Sequence, residues 1–188
     1  LCEGADAGWF ASTPTPLEPN DTAPEARFCW DAPCEPLALG DITIGALLVD
    51  PDGADAGREA IVLHSTTERA FEGLSLLGIN GRDGAVYGAQ EGMAVDFSMA
   101  SEWIIAGEDV TPRDAELTLS LQNGPDSLVL MDCQDQVLDA IAYGSFDDGE
   151  VAVGEGTPAE ECAPGVWLAR SDGADTDDNA NDFACRQP

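Results

Sequence analysis

The sequence predicts an all-β sandwich preceded by an extended proline-rich arm. Three observations carry that expectation. From Gly40 onward, short runs rich in Val, Ile and Leu recur about every ten residues. Clusters of Gly, Asn and Asp separate them. No window sustains an apolar stripe at helical spacing, so the runs read as strands whose alternate residues meet in one core.

Residues 1–37 hold six of the twelve prolines, including "STPTPLEPNDTAP". Proline removes a backbone donor and fixes φ, so this stretch is expected to form an extended arm, and residues 38–188 the sandwich. The expected strands are "DITIGALLV" (41–49), "EAIVLHS" (59–65), "LSLLGI" (74–79), "EWIIAG" (102–107), "SLVLMD" (127–132), "QVLDAIAYG" (136–144) and "VWLAR" (166–170). "MDCQDQV" joins two of them as a tight hairpin. A weak repeat is also present: "EGAD" at 3–6 and "DGAD" at 52–55 and 172–175. The first and third copies share flanking letters, so the arm reads either as the tail of a preceding unit or as a compositional echo.

Composition narrows the partners. The chain of 188 residues is 44% apolar, enough for one core, and carries 37 acids against 7 bases, for a net charge of -30. Every base is arginine. Such a charge repels phosphate backbones and anionic lipid, which argues against nucleic acid as a partner. No apolar run is long enough to span a bilayer, so direct membrane insertion is not expected. Six cysteines without a paired CxxC or a second histidine favour disulfides over zinc, and with them a secreted or cell-surface protein. The chain opens on Leu1, as a mature secreted chain or a segment of something longer would. Of the fifteen pairings, spacing favours Cys29 with Cys34 and Cys133 with Cys162, leaving Cys2 with Cys185 by elimination. With three cysteines in the arm and three in the body, at least one bridge should join the two.

The acids supply the candidate sites. "VDPDGADAGRE" offers Asp50, Asp52, Asp55 and Glu59, and "SDGADTDDNAND" offers Asp172, Asp175, Asp177, Asp178 and Asn179. Closely spaced oxygens in glycine-containing loops suit calcium, although neither stretch has the glycine and terminal glutamate of an EF-hand. The competing reading is a pair of solvated turns whose Asx side chains cap their own backbone. Catalysis has thinner support. His64 and Ser65 are adjacent on a strand, which points them to opposite faces, and no GxSxG elbow occurs. A carboxylate-based secreted hydrolase is the alternative function, but 37 acids nominate no pair. Trp103 and Trp167 are expected in the core.

One resemblance adds to this reading. "LQNGPDSLVLMDCQDQVLDAIAYG" (121–144) resembles the hairpin segment of lamin-tail domains, LSNxGDxLxLxDxxGxVVDxVxYG. "ITIGALLVDPDGADAGREAIVLHS" is similar to the family's opening and "AFEGLSLLGIN" to its following strand. "GVWLARSDGADTDDNANDFACRQP" resembles the closing GxSLxRxxDGxDTDDNxxDF. The likeness covers roughly residues 40–188. It departs at Gly45, Ala46, Ala60, Val62 and Leu76, which erodes the polar signature while keeping the apolar framework. The resemblance implies an immunoglobulin-like sandwich serving as a non-catalytic structural or adhesive module, with protein or glycan neighbours at the cell surface. The arm adds a further expectation. Trp9, Phe10, Phe28 and Trp30 should bury against a sandwich, its own or a neighbour's, and the second case is head-to-tail self-association into a ring or filament.

Overall fold

A computed structural model describes residues 36–171 and 175–187. The chain is a sandwich of two sheets. In order it forms β1 (Ile42–Leu48), β2 (Ala60–Ser65), β3 (Ala70–Asn80), β4 (Val86–Asp96), β5 (Glu102–Ala106), β6 (Ala115–Glu116), β7 (Asp126–Met131), β8 (Val137–Tyr143), β9 (Trp167–Arg170), a single helical turn α1 (Asn179–Asp182) and β10 (Phe183–Arg186). The six-stranded sheet runs β10-β9-β1-β2-β5-β6 and the four-stranded sheet β4-β3-β7-β8. Among the described strands β5 and β6 pair in parallel and the other ladders are antiparallel.

Alternation builds the core. Ile42, Ile44, Leu47, Ile61, Leu63 and Ile105 from one sheet meet Leu74, Leu76, Leu128, Leu130 and Ile141 from the other. The opposite face of the four-stranded sheet is also covered, since Leu77, Ile79, Val129, Met131 and Ala140 form a second cluster against Val137 and Val153. Burial on both faces explains why "SLVLM" reads as a continuous apolar run instead of an alternating one. Phe97 joins the core edge-on to Phe71 and to Trp103, with ring centroids 5.9 and 6.4 Å apart.

All seven expected strands are present, and the hairpin at 132–136 closes as its residues require. Asp132 Oδ1 accepts the backbone N–H groups of Gln134 and Gln136, while Asp135 takes a left-handed φ of 62°. Leu37, the last residue assigned to the arm, is buried, and its backbone bonds to Asp132 and Gln136 at this turn. Three strands and the helical turn have no counterpart in the expectation. β4 carries Gly88, Gln90, Glu91 and Gly92 and lies at a sheet edge, where side chains need not be apolar. β6 is only two residues long. β10 follows directly on acidic sequence that reads as loop. Gly78 and Gly88 pair across β3 and β4, and a Cβ on Gly78 would strike the Tyr87 ring.

The cysteines correct the expected pairing. Cys162 bonds Cys185, with Cα atoms 5.6 Å apart, so neither Cys133–Cys162 nor Cys2–Cys185 forms. β10 pairs with β9, which brings Cys185 alongside the loop that precedes β9, an alignment that spacing alone does not show. Cys133 is also disulfide-bonded. The expected arm-to-body bridge rests on cysteines outside the described residues. The Cys29–Cys34 pairing and the burial of Trp9, Phe10, Phe28 and Trp30 fall outside the described residues. No helix among the described residues is long and apolar enough to cross a membrane.

The Cys162–Cys185 bridge closes a loop with a sequence separation of 23. Replacing both cysteines by serine should lower unfolding free energy by about 3 kcal/mol, the chain-entropy value for a loop of that size. Urea denaturation of the double variant checks this, and non-reducing peptide mapping should recover the two cysteines in one linked pair.

Candidate functional site

The strongest polar chemistry lies where β9 ends beside β1. β9 pairs with β1 only at Ala46 and Leu47, and β1 changes register between Ile44 and Ala46. Side chains take over the Ile44 backbone. Its N–H donates to Asp139 Oδ2 at 2.6 Å, and its carbonyl accepts Arg170 Nε at 3.0 Å. Arg170 closes the triangle, donating from Nη2 to Asp139 Oδ2 at 2.7 Å. Because Asp139 stands on β8 and Ile44 and Arg170 on the other sheet, this triangle bolts the two sheets together.

Arg170 also organises the C-terminal segment. Its Nη1 lies 3.2 Å from Asp175 Oδ1 and 3.2 Å from Asp182 Oδ2, and its guanidinium stacks 4.5 Å over the Phe183 ring. Asp182 in turn accepts the Thr176 N–H at 2.9 Å and its hydroxyl at 2.6 Å. Beside it, Asn179 covers the open edge of β8. Its amide donates to Ala140 O, and its Oδ1 accepts from Ala142 N and Glu155 N, each within 3.0 Å. Asn179 thus stands in for an eleventh strand. Gly154 is glycine for this reason, since a Cβ there would lie 2.4 Å from both Ala142 N and Asn179 Oδ1.

Four acids converge on the one arginine. Asp139, Asp182 and Glu155 are buried, while Asp175 is at the exposed end. Asp139, Glu155 and Asp175 each offer a carboxylate oxygen within 4.8 Å of the other two; among the described residues they are the only such trio of metal-ligating side chains. Among the described residues, the buried Asp139 Oδ1 and Glu155 Oε2 have no hydrogen-bond partner. Burial raises Glu155 to about 9, assisted by Asp139 and Asp175, while Arg170 opposes. Burial raises Asp139 as well, and Arg170 and the Ile44 N–H pull it back.

Only some of the residues expected from sequence meet here. Asp175 belongs to the trio, and Asn179 is the edge clamp. Asp178 Oδ1 accepts Thr157 N, and its Oδ2 accepts the Asn181 amide, while Asp177 holds a left-handed φ of 55°. Asp172 lies outside the described residues. The first acidic stretch is dispersed. Asp50 accepts Gly165 N through its carbonyl, the Asp52 carbonyl accepts Arg58, and Asp55 accepts from Arg58 N and, through its carboxylate, from Asn123. Glu59 turns into the sandwich, where burial raises it to about 7. Ser65 donates its hydroxyl to Asp41 O at 2.8 Å, and His64 sits on β2 between Thr43 and Glu102.

Sequence reasoning passed over Asp139, Glu155, Arg170 and Asp182. A signal existed for the first: "VLDAIAY" places a lone acid inside an apolar strand, and a buried acid needs a partner. Arg170 likewise ends an apolar run. No family model, curated protein or solved structure matches the chain.

Two outcomes follow. Arg170→Met should cost about 3–5 kcal/mol in urea denaturation, because it leaves buried carboxylates without a counter-charge. The exposed Arg69–Asp41 pair, 3.8 Å apart, should matter less, about 1 kcal/mol on Arg69→Met. The second outcome is a pH profile in chelator-treated protein. Glu155 is protonated in both states below 4.5; above that the unfolded chain releases its proton and the folded chain keeps it until about 9. Stability therefore falls as pH rises across this window, with a limiting slope of about 1 kcal/mol per pH unit for one proton. Glu59 adds a loss of the same sign that ends by about 7. Glu155→Gln should flatten the interval from pH 7 to 9 and reduce the slope of the lower limb to what Glu59 retains, as read by melting midpoints across pH.

Proposed function

We propose that this chain is a non-catalytic structural or adhesive module of lamin-tail type, secreted or displayed at a cell surface, that binds protein or glycan neighbours without transforming them. The observation that carries the reading is the Arg170 centre. Its groups tie β1, β8, β9 and the segment 175–183 to one another, the use a scaffold makes of buried charge. Three further features support it. A disulfide within the sandwich and a second at Cys133 suit an oxidising compartment, and a net charge of -30 keeps such a surface in solution. A cavity of about 30 Å³ beside Leu47, Asp50, Tyr143 and Cys162 has room for little more than water, against roughly 300 Å³ or more for a small-molecule site.

The test sets this reading against a carboxylate-based hydrolase. The purified chain, incubated with panels of polysaccharides and peptides with and without calcium, should release no product while retaining at least one panel member on a binding column. Turnover that disappears in Glu155→Gln would replace the module with an enzyme.

A further inference from the structure

The trio at the end of β8 goes beyond a structural clamp. We propose that Asp139, Glu155 and Asp175 bind one divalent cation of the calcium class, which fastens the segment around Asp175 to the edge of the sandwich. The argument begins with the unpartnered oxygens. Asp139 is 0% exposed and Glu155 9%, and each holds one carboxylate oxygen in the interior with no donor among the described residues. A buried carboxylate oxygen in that state is costly, and native interiors seldom leave one. Arg170 is already engaged with Ile44, Asp139, Asp175 and Asp182.

The donor set selects the class of ion. It is all oxygen and all carboxylate, which suits hard cations over zinc or copper. One oxygen from each acid lies within 4.8 Å of the others. Metal–oxygen distances of about 2.3–2.6 Å place ligands on opposite sides of calcium up to about 5 Å apart, so three oxygens within that bound can share one ion. Calcium takes about six to eight oxygens, so water and nearby carbonyls complete the shell. Charge agrees with this: once Glu155 gives up its proton to ligate, it joins Asp139, Asp175 and Asp182 against Arg170, and a divalent ion offsets most of the excess. Asp175, the exposed member, gives the ion its route from solvent.

The experiment uses the whole chain, freed of metal by chelator and titrated with calcium chloride at fixed ionic strength, with magnesium chloride and sodium chloride as parallel arms. Calorimetry should find one calcium per chain. The melting midpoint should rise with calcium beyond the matched sodium control, by the linkage that stabilises any state binding a ligand exclusively. Asp175→Asn should weaken calcium at least tenfold, and Glu155→Gln should do the same if it folds. Asp52→Asn, in the first acidic stretch, should leave affinity unchanged. A calcium response equal to that of sodium overturns the site, and so does saturable binding that Asp175→Asn leaves intact. Neither result bears on the non-catalytic reading, which stands or falls on product release.

Discussion

Strands β1, β8 and β9 and the segment 175–183, distant in sequence, are joined through one buried ion pair, Arg170 with Asp139. Neither charge could remain alone, since an isolated ion in an apolar interior is many kcal/mol worse off than in water. The fold therefore has to bring β8 and β9 together at one register. Ile44 reads that register with both its N–H and its carbonyl, which aligns β1 with both sheets at once. Apolar burial supplies most of the stability, but it tolerates sliding. A guanidinium and a carboxylate 2.7 Å apart do not.

The fold was largely legible because the strands of an all-β sandwich are marked by what they bury. Runs such as "AIVLHS" and "VLDAIAY" are apolar enough to announce themselves, and the Asp132 turn has the chemistry its hairpin needs. Legibility failed where burial is partial. β4 faces solvent along much of its length, so Gln90 and Glu91 cost it nothing. β10 was hidden because "NDFACR" is a strand only once β9 lies beside it.

The centre around Arg170 was harder to read for a different reason. In a chain with 37 acids, sequence does not separate the carboxylate that is buried from those that are solvated; only tertiary packing does. The acidic stretches looked equivalent, yet the structure disperses Asp50, Asp52 and Asp55 and draws Asp175 toward two acids from elsewhere in the chain. Glu155 comes from a segment without regular structure, so no periodicity marked it. Cys162 and Cys185 follow the same rule, since their pairing depends on a strand alignment that spacing alone does not supply.

The position of β9 beside β1 bears on how the molecule reaches this state. Residues 46 and 47 wait for partners at 168 and 169, so the ladder that completes the large sheet closes across most of the chain. Pairings of that range are slow, because the intervening chain must be ordered before the contact rewards it. Until then β1 has an open edge, with N–H and C=O groups free to pair with another copy. The surplus of negative charge then acquires a kinetic meaning. Half-folded chains repel one another during the interval in which their edges are exposed, and the acidity that looks idle on the finished surface guards its assembly.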